Sequence, residues 1–215
     1  MAITRLKRFV VGVSLALPAV FLSHSLYADT VNAKMNYIIE GKVISGWGAV
    51  TGDPQNWWSP LTELKGASGS GKLTIEPAQF QVPGDAFKLT WAPRNPIPAQ
   101  FSLMGNPVDL KSLENIGALV INMHVLTAPD KPVNVAMRCG DKCEAKIDIS
   151  KDLKKLKKSE WVSFPIALNC FALAGVDLSK VATPFEISTD GKLSLEITTI
   201  RLEKLTPGEK GCVKE

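Results

Sequence analysis

The sequence predicts an all-β protein, a jelly-roll β-sandwich of two antiparallel sheets, and three observations carry that expectation. Short runs of alternating or β-branched apolar residues recur along the chain. Gly, Pro, Asn and Asp cluster between those runs, and no 3.6-residue apolar period lasts long enough for a crossover helix. A parallel α/β sheet needs such crossovers. With 215 residues and 45% hydrophobic content, the chain can bury one core of sandwich size.

Residues 1–28 read as a secretory signal peptide. Arg5, Lys7 and Arg8 precede an apolar run over 9–22, and Ser25, Leu26, Tyr27 and Ala28 supply a cleavage site after Ala28, with Ala33 as the alternative. The apolar run is too short for a lasting membrane span. The expected mature chain is therefore periplasmic or secreted, with no stable span after cleavage. Cleavage takes three of the 25 basic residues and none of the 21 acidic ones, which leaves a nearly neutral chain. Nucleic acid is not an expected partner, because neutralising phosphates needs a concentrated basic face. The basic run KDLKKLKK at 151–158 sets Leu153 and Leu156 three apart, which reads as a short helical turn with leucines packed and lysines in water.

After a short segment at 29–34, the sandwich is expected over 35–206, with a tail at 207–215. Residues 35–50 allow one or two short strands interrupted by Gly41, and TGDPQNWWSPLTELKGASGSG at 51–71 is a loop of turn formers. Strands follow at 72–76, 86–91, 100–103, 118–126, 133–139, 144–149, 161–168, 185–188 and 192–205, with short helical turns at 111–115 and 152–157. APRNPIP at 92–98 is too rich in proline for helix or central strand. Pro165 marks its run as an edge strand or a bulge, since proline cannot donate to a ladder. Trp91, in phase with Phe87 and Leu89, belongs to the core, as does Trp161 at a strand start.

The chain is organised around 133–170. Val133, Val135, Met137 and Cys139 share one strand face, Asn134, Ala136 and Arg138 share the other, and Gly140, Asp141 and Lys142 make a short hairpin loop. All four cysteines lie in the expected exported part, where disulfides persist. Cys139 and Cys143 flank the loop and can face each other across it, which leaves Cys170 with Cys212. A zinc site would want histidine or closer cysteine pairs, and no calcium-ligand spacing is recognisable, so no metal and no cofactor is expected.

In the loop at 51–71, Trp57 and Trp58 stand beside Asp53, Gln55 and Asn56. A pyranose stacks its C–H face on a flat aromatic ring, and its hydroxyls need fixed Asn, Gln, Asp or Arg partners. That composition makes these five residues, with Arg138, candidates for holding a sugar. A second candidate is a polar band of Asn122 and His124 with Asn134 and Arg138, provided their strands are neighbours. Catalysis is not expected. Glycoside cleavage needs two converging carboxyl groups, and no motif brings two together; a nucleophile–histidine arrangement would have to use His124, the one histidine left after cleavage.

AMRCGDKCEAKIDIS at 136–150 and EWVSFPIALNCFALAGVDLSKVATPFEISTDGKLSLEITTIRL at 160–202 resemble a known family, as do GALVINMHVL at 117–126 and FKLTW at 87–91. The family is the galactose-binding-like C-terminal domain of ExoP-type glucohydrolases, exported β-glucosidases and exo-glucanases of glycoside hydrolase family 3. The resemblance implies a sandwich of the carbohydrate-binding kind, which in the family is joined to a catalytic barrel and a second α/β domain. Nothing here matches those catalytic domains, so the resemblance implies binding without hydrolysis. The expected partner is a polysaccharide or oligosaccharide, β-glucan first. The alternative is an envelope protein-interaction role, in which the domain docks onto an exported glycoside hydrolase.

Overall fold

The computed structural model describes residues 32, 34–93, 96–158, 160–206, 208 and 211–213, so the expected signal peptide lies outside the described residues. In chain order the strands are β1 (Asn36–Ile39), β2 (Lys42–Val43), β3 (Trp47–Gly52), β4 (Ser59–Pro60), β5 (Gly66–Ala67), β6 (Leu73–Gln79) and β7 (Pro83–Trp91). Then come β8 (Ala99–Gly105), β9 (Gly117–Thr127), β10 (Asn134–Gly140), β11 (Cys143–Asp148), β12 (Trp161–Ala167), β13 (Thr183–Thr189) and β14 (Leu193–Lys204). Two short helices, α1 (Ser150–Lys155) and α2 (Leu168–Leu173), and single 3-10 turns at Lys111–Leu113 and Leu178–Lys180 complete the set.

The strands form two antiparallel sheets. One runs β12-β9-β14-β7-β6-β5, with β1 also paired to β14 and β2 to β1; the other runs β11-β10-β13-β8-β3-β4. Alternation decides what faces inward. In β8, Ala99, Phe101 and Leu103 are buried, while Gln100 and Met104 point the other way. The two inner faces meet through Phe87, whose ring lies 5.3 Å from Phe101, and Phe101 in turn lies 6.3 Å from Phe185. Trp91 is buried as expected, and its indole N–H donates to the Ala99 carbonyl at 2.9 Å.

Most expected strands are present. β12 is an edge strand, paired with β9 alone, where Pro165 is tolerated. α1 buries Leu153 and leaves its lysines exposed. Three expectations need correction. Trp161 is half-buried outside the core, stacked against Phe80 at 4.7 Å and near His124. The polar band does not exist, because β9 and β10 belong to different sheets: Asn122 and His124 lie on one, Asn134 and Arg138 on the other. The strand expected to reach residue 168 gives way to α2, which buries Leu168, Cys170 and Phe171.

Both disulfides form as expected, Cys139–Cys143 across the β10–β11 hairpin and Cys170–Cys212 from α2 to the chain end, each with Cα atoms 5.0 Å apart. Lys72, just before β6, is fully buried, and its ammonium donates to the carbonyls of Ala92 at 2.6 Å and Asp190 at 2.9 Å. Burial lowers its pKa, against the pull of Asp190 and Asp130. The ammonium thus ties the entry of β6 to the turns after β7 and before β14. Replacing it with an apolar chain of similar length leaves both carbonyls without this donor. Lys72→Met is expected to cost about 2–4 kcal/mol, read as a lower urea midpoint at unchanged m-value.

Candidate functional site

The outward-facing residues of the six-stranded sheet form the floor of a groove. Register places Val50 opposite Ser102, Ser102 opposite Glu186, Glu186 opposite Ala136, and Ala136 opposite Lys146, a row that crosses five strands. The adjoining row sets Thr183 opposite Arg138 and Arg138 opposite Glu144. Small and polar side chains at these positions keep the floor low and wettable.

At its centre Glu186 is only 2% exposed. It is charge-compensated by a two-pronged contact from Arg138: Nε donates to Oε2 at 2.9 Å and Nη2 to Oε1 at 2.7 Å. Ser102 Oγ donates to the same Oε2 at 3.1 Å, and Arg138 Nη1 also pairs with Glu144. The Glu186 hydrogen bonds raise the Arg138 pKa, so the guanidinium stays charged at any pH the fold survives.

Two loops wall the groove. From the β3–β4 edge rise Trp57, 67% exposed, and Trp58, 52% exposed, whose indole N–H donates to Met104 Sδ at 3.3 Å. From the β10–β11 edge comes the disulfide-closed hairpin, which brings Gly140 and Asp141 to the lining. The space enclosed is about 520 Å³, and Gln100, Ser102, Met104, Thr183 and Glu186 also line it. That volume suits a small organic ligand or a few units of a polymer.

The tryptophan loop is held from beneath by Asp53. Its Oδ1 accepts from the main-chain amides of Gln55 and Asn56, both at 2.9 Å, and its Oδ2 from the amide of Ser70 at 2.6 Å. Gly52 lets the chain fold this tightly, since a Cβ there would collide with the Trp57 carbonyl oxygen. Burial opposes the Asp53 charge, but hydrogen bonds from Ser70, Asn56 and Ser68 outweigh it and hold the carboxyl well below the usual carboxylate range.

Of the six site residues expected from sequence, the groove brings together Trp57, Trp58 and Arg138. Asp53 is buried beneath the loop with both oxygens taken by main-chain amides, so it shapes the site rather than facing a ligand. Gln55 and Asn56 are exposed on the loop outside the lining, and the Asn56 amide donates to Ser59 Oγ at 2.6 Å. Sequence reading missed Gln100, Ser102, Asp141 and Glu186. A signal for Ser102 and Glu186 was present, a polar residue between two core residues of one strand, Phe101 and Leu103 or Phe185 and Ile187. Among the described residues no group of three or more His, Cys, Asp or Glu side chains is placed to hold a metal ion.

A family model described as galactose-binding domain-like, the ExoP C-terminal type, matches residues 47–202. The chain belongs to this family. Among solved structures, this galactose-binding-like domain is similar to the extra C-terminal domain of an exo-1,3/1,4-β-glucanase, ExoP, from a Pseudoalteromonas species. That match has a TM-score of 0.66 at 20% identity and covers 84% of this chain and 99% of that one. The ExoP glucanase itself matches at TM-score 0.66 and 19% identity, over 79% of this chain but only 20% of the enzyme. A family 30 carbohydrate-binding module from a Clostridium thermocellum cellulosomal cellulase matches at TM-score 0.52 and 17% identity, over 64% of this chain and 88% of the module. At these identities the likeness is one of fold. Among curated proteins none matches by sequence.

The Asp53 clamp gives this domain a pH dependence whose sign is fixed. A carboxyl held below its unfolded pKa of about 3.9 contributes stability that is fully present above that pH and is lost as pH falls below it. Asp53→Asn is expected to lower the melting temperature by several degrees at pH 7, with a gap that narrows as pH falls from about 4 toward 2. Scanning calorimetry across pH 2–7 checks this, and a parallel pair of curves would refute it.

Proposed function

We propose that this chain is an exported, non-catalytic module that binds carbohydrate in the groove of the six-stranded sheet, with β-glucan as the first expected ligand class. The observation that carries the reading is the pair of exposed indoles, Trp57 and Trp58, standing over a polar floor whose one buried charge is already compensated. The rings offer flat apolar faces for the C–H face of a pyranose. Gln100, Ser102, Asp141 and the guanidinium edge of Arg138 offer partners for its hydroxyls. Asn56 and Gln55 stand on the loop above and reach a longer chain at the rim. The similar glucanase domain and family 30 carbohydrate-binding module support the ligand class.

The state of the carboxylates in this groove supports the non-catalytic reading. Glu186 is tied up by Arg138 and Ser102, Glu144 is paired with Arg138 and Lys146, and Asp141 sits on a hairpin tip. None of them is arranged as an acid facing a nucleophile across a bond. Two disulfides support an oxidising destination. Among the described residues no helix is long and apolar enough to cross a membrane.

A second reading is docking onto an exported glycoside hydrolase. It is favoured by the apolar cluster of Phe80 and Val82, both exposed, beside Trp161 on the opposite sheet. Retention of such an enzyme on immobilised protein at high salt, lost in Phe80→Ser, is the expected outcome on that reading.

The sugar reading is tested by tryptophan fluorescence titrated with laminarin, mixed-linkage β-glucan, xylan and galactan. A saturable shift with a β-glucan is expected, with no reducing ends released on long incubation. Trp57→Ala or Trp58→Ala should each weaken binding roughly 10–30-fold, the range typical of an exposed aromatic anchor. If the double variant binds every glycan as the unmutated chain does, the groove reading is wrong.

A further inference from the structure

Three non-glycine residues among those described have left-handed backbone, Glu40 (φ 48°), Glu63 (φ 51°) and Leu64 (φ 51°); Glu63 and Leu64 line one cavity, and Glu40 directly precedes Gly41, which also lines it. Glu63 and Leu64 are the central pair of a two-residue hairpin turn, closed by the Lys65 amide donating to the Thr62 carbonyl at 3.0 Å. Such turns favour Asn and Gly at these positions, so Glu and Leu hold them under strain. Burial of Leu64 offsets its share. Glu63 is exposed and gains nothing from packing.

What the turn does is hold Glu63 at the mouth of a cavity of about 580 Å³, where the two sheets part between β2–β3 and β6–β7. No residue lines both this cavity and the tryptophan groove. Phe87 and Leu64, both buried, lie beneath it. Trp47 forms one wall, fixed edge-on against Tyr37 with ring centres 5.1 Å apart. Glu40 precedes Gly41, and its left-handed turn sets Lys42 at the rim. Lys42 and Glu63 are both exposed and neither has an ion-pair partner among the described residues.

We propose that this cavity is a second binding site, for an uncharged sugar. An indole wall and an apolar floor accept the C–H face of a pyranose. The Lys42 ammonium can only donate and the Glu63 carboxylate can only accept, a pair that suits hydroxyls, which do both. A charged ligand would meet one partner and one repulsion. The proposal takes from the groove reading only the class of ligand, and the module would then hold sugar at two separate places.

Calorimetry with β-1,3- and β-1,4-linked glucose tetrasaccharides tests it. The unmutated chain should bind two molecules, and Trp57→Ala with Trp58→Ala should leave one. Adding Lys42→Ala and Glu63→Gln, both at exposed positions where folding is checked by circular dichroism, should weaken the remaining site at least tenfold. The proposal is overturned if the double tryptophan variant binds no tetrasaccharide, or if its remaining site ignores the charge substitutions. Should the tryptophan substitutions change nothing while the charge substitutions remove one site, the groove reading fails and the second site stands.

Discussion

A carboxylate withdrawn from water costs several kcal/mol unless its charge is matched, and the proposed binding face of this protein is arranged around that requirement at Glu186. The Arg138 fork and the Ser102 hydroxyl meet it, drawing three neighbouring strands, β10, β13 and β8, into one polar unit. Because Arg138 is also paired with Glu144, its guanidinium is held between two carboxylates rather than free to sweep the groove. The floor is therefore rigid and close to neutral before any ligand arrives. Little ordering remains to be done on binding, which is what a site of modest size needs if a few contacts are to give useful affinity.

The same economy of motion marks the walls. Asp53 anchors the tryptophan loop through three main-chain amides, and Cys139–Cys143 closes the opposite hairpin. Exposed indoles on a loose loop would lose rotamer and backbone freedom when they stack. Here the loop backbone is already fixed, so only the rings need to settle.

Much of the fold was legible because a two-residue period is a local property. The alternation in 133–139 or 100–103 identifies a strand and its buried face from a handful of residues. Which strands become neighbours is not local. β9 and β10 follow one another in sequence yet lie in different sheets, so Asn122 and Arg138, similar in phase and polarity, ended on opposite sides of the molecule. Site composition was half legible for the same reason. Trp57, Trp58 and Arg138 are conspicuous in the sequence, whereas Asp53 looks like a ligand group until its oxygens are seen to accept the loop's own amides. Ser102 and Glu186 acquire meaning only when register sets them opposite each other.

The free edges of the sandwich bear on how it would behave on a polymer. A protein that gathers in many copies along a polysaccharide reaches local concentrations at which unpaired strand edges invite sheet-to-sheet aggregation. Each outer strand is blunted in its own way: β12 carries Pro165, β11 alternates in Glu144, Lys146 and Asp148, and β2, β4 and β5 are two residues long. On the proposed glycan, crowding could then raise occupancy without seeding fibres, and that tolerance is built into the outer strands.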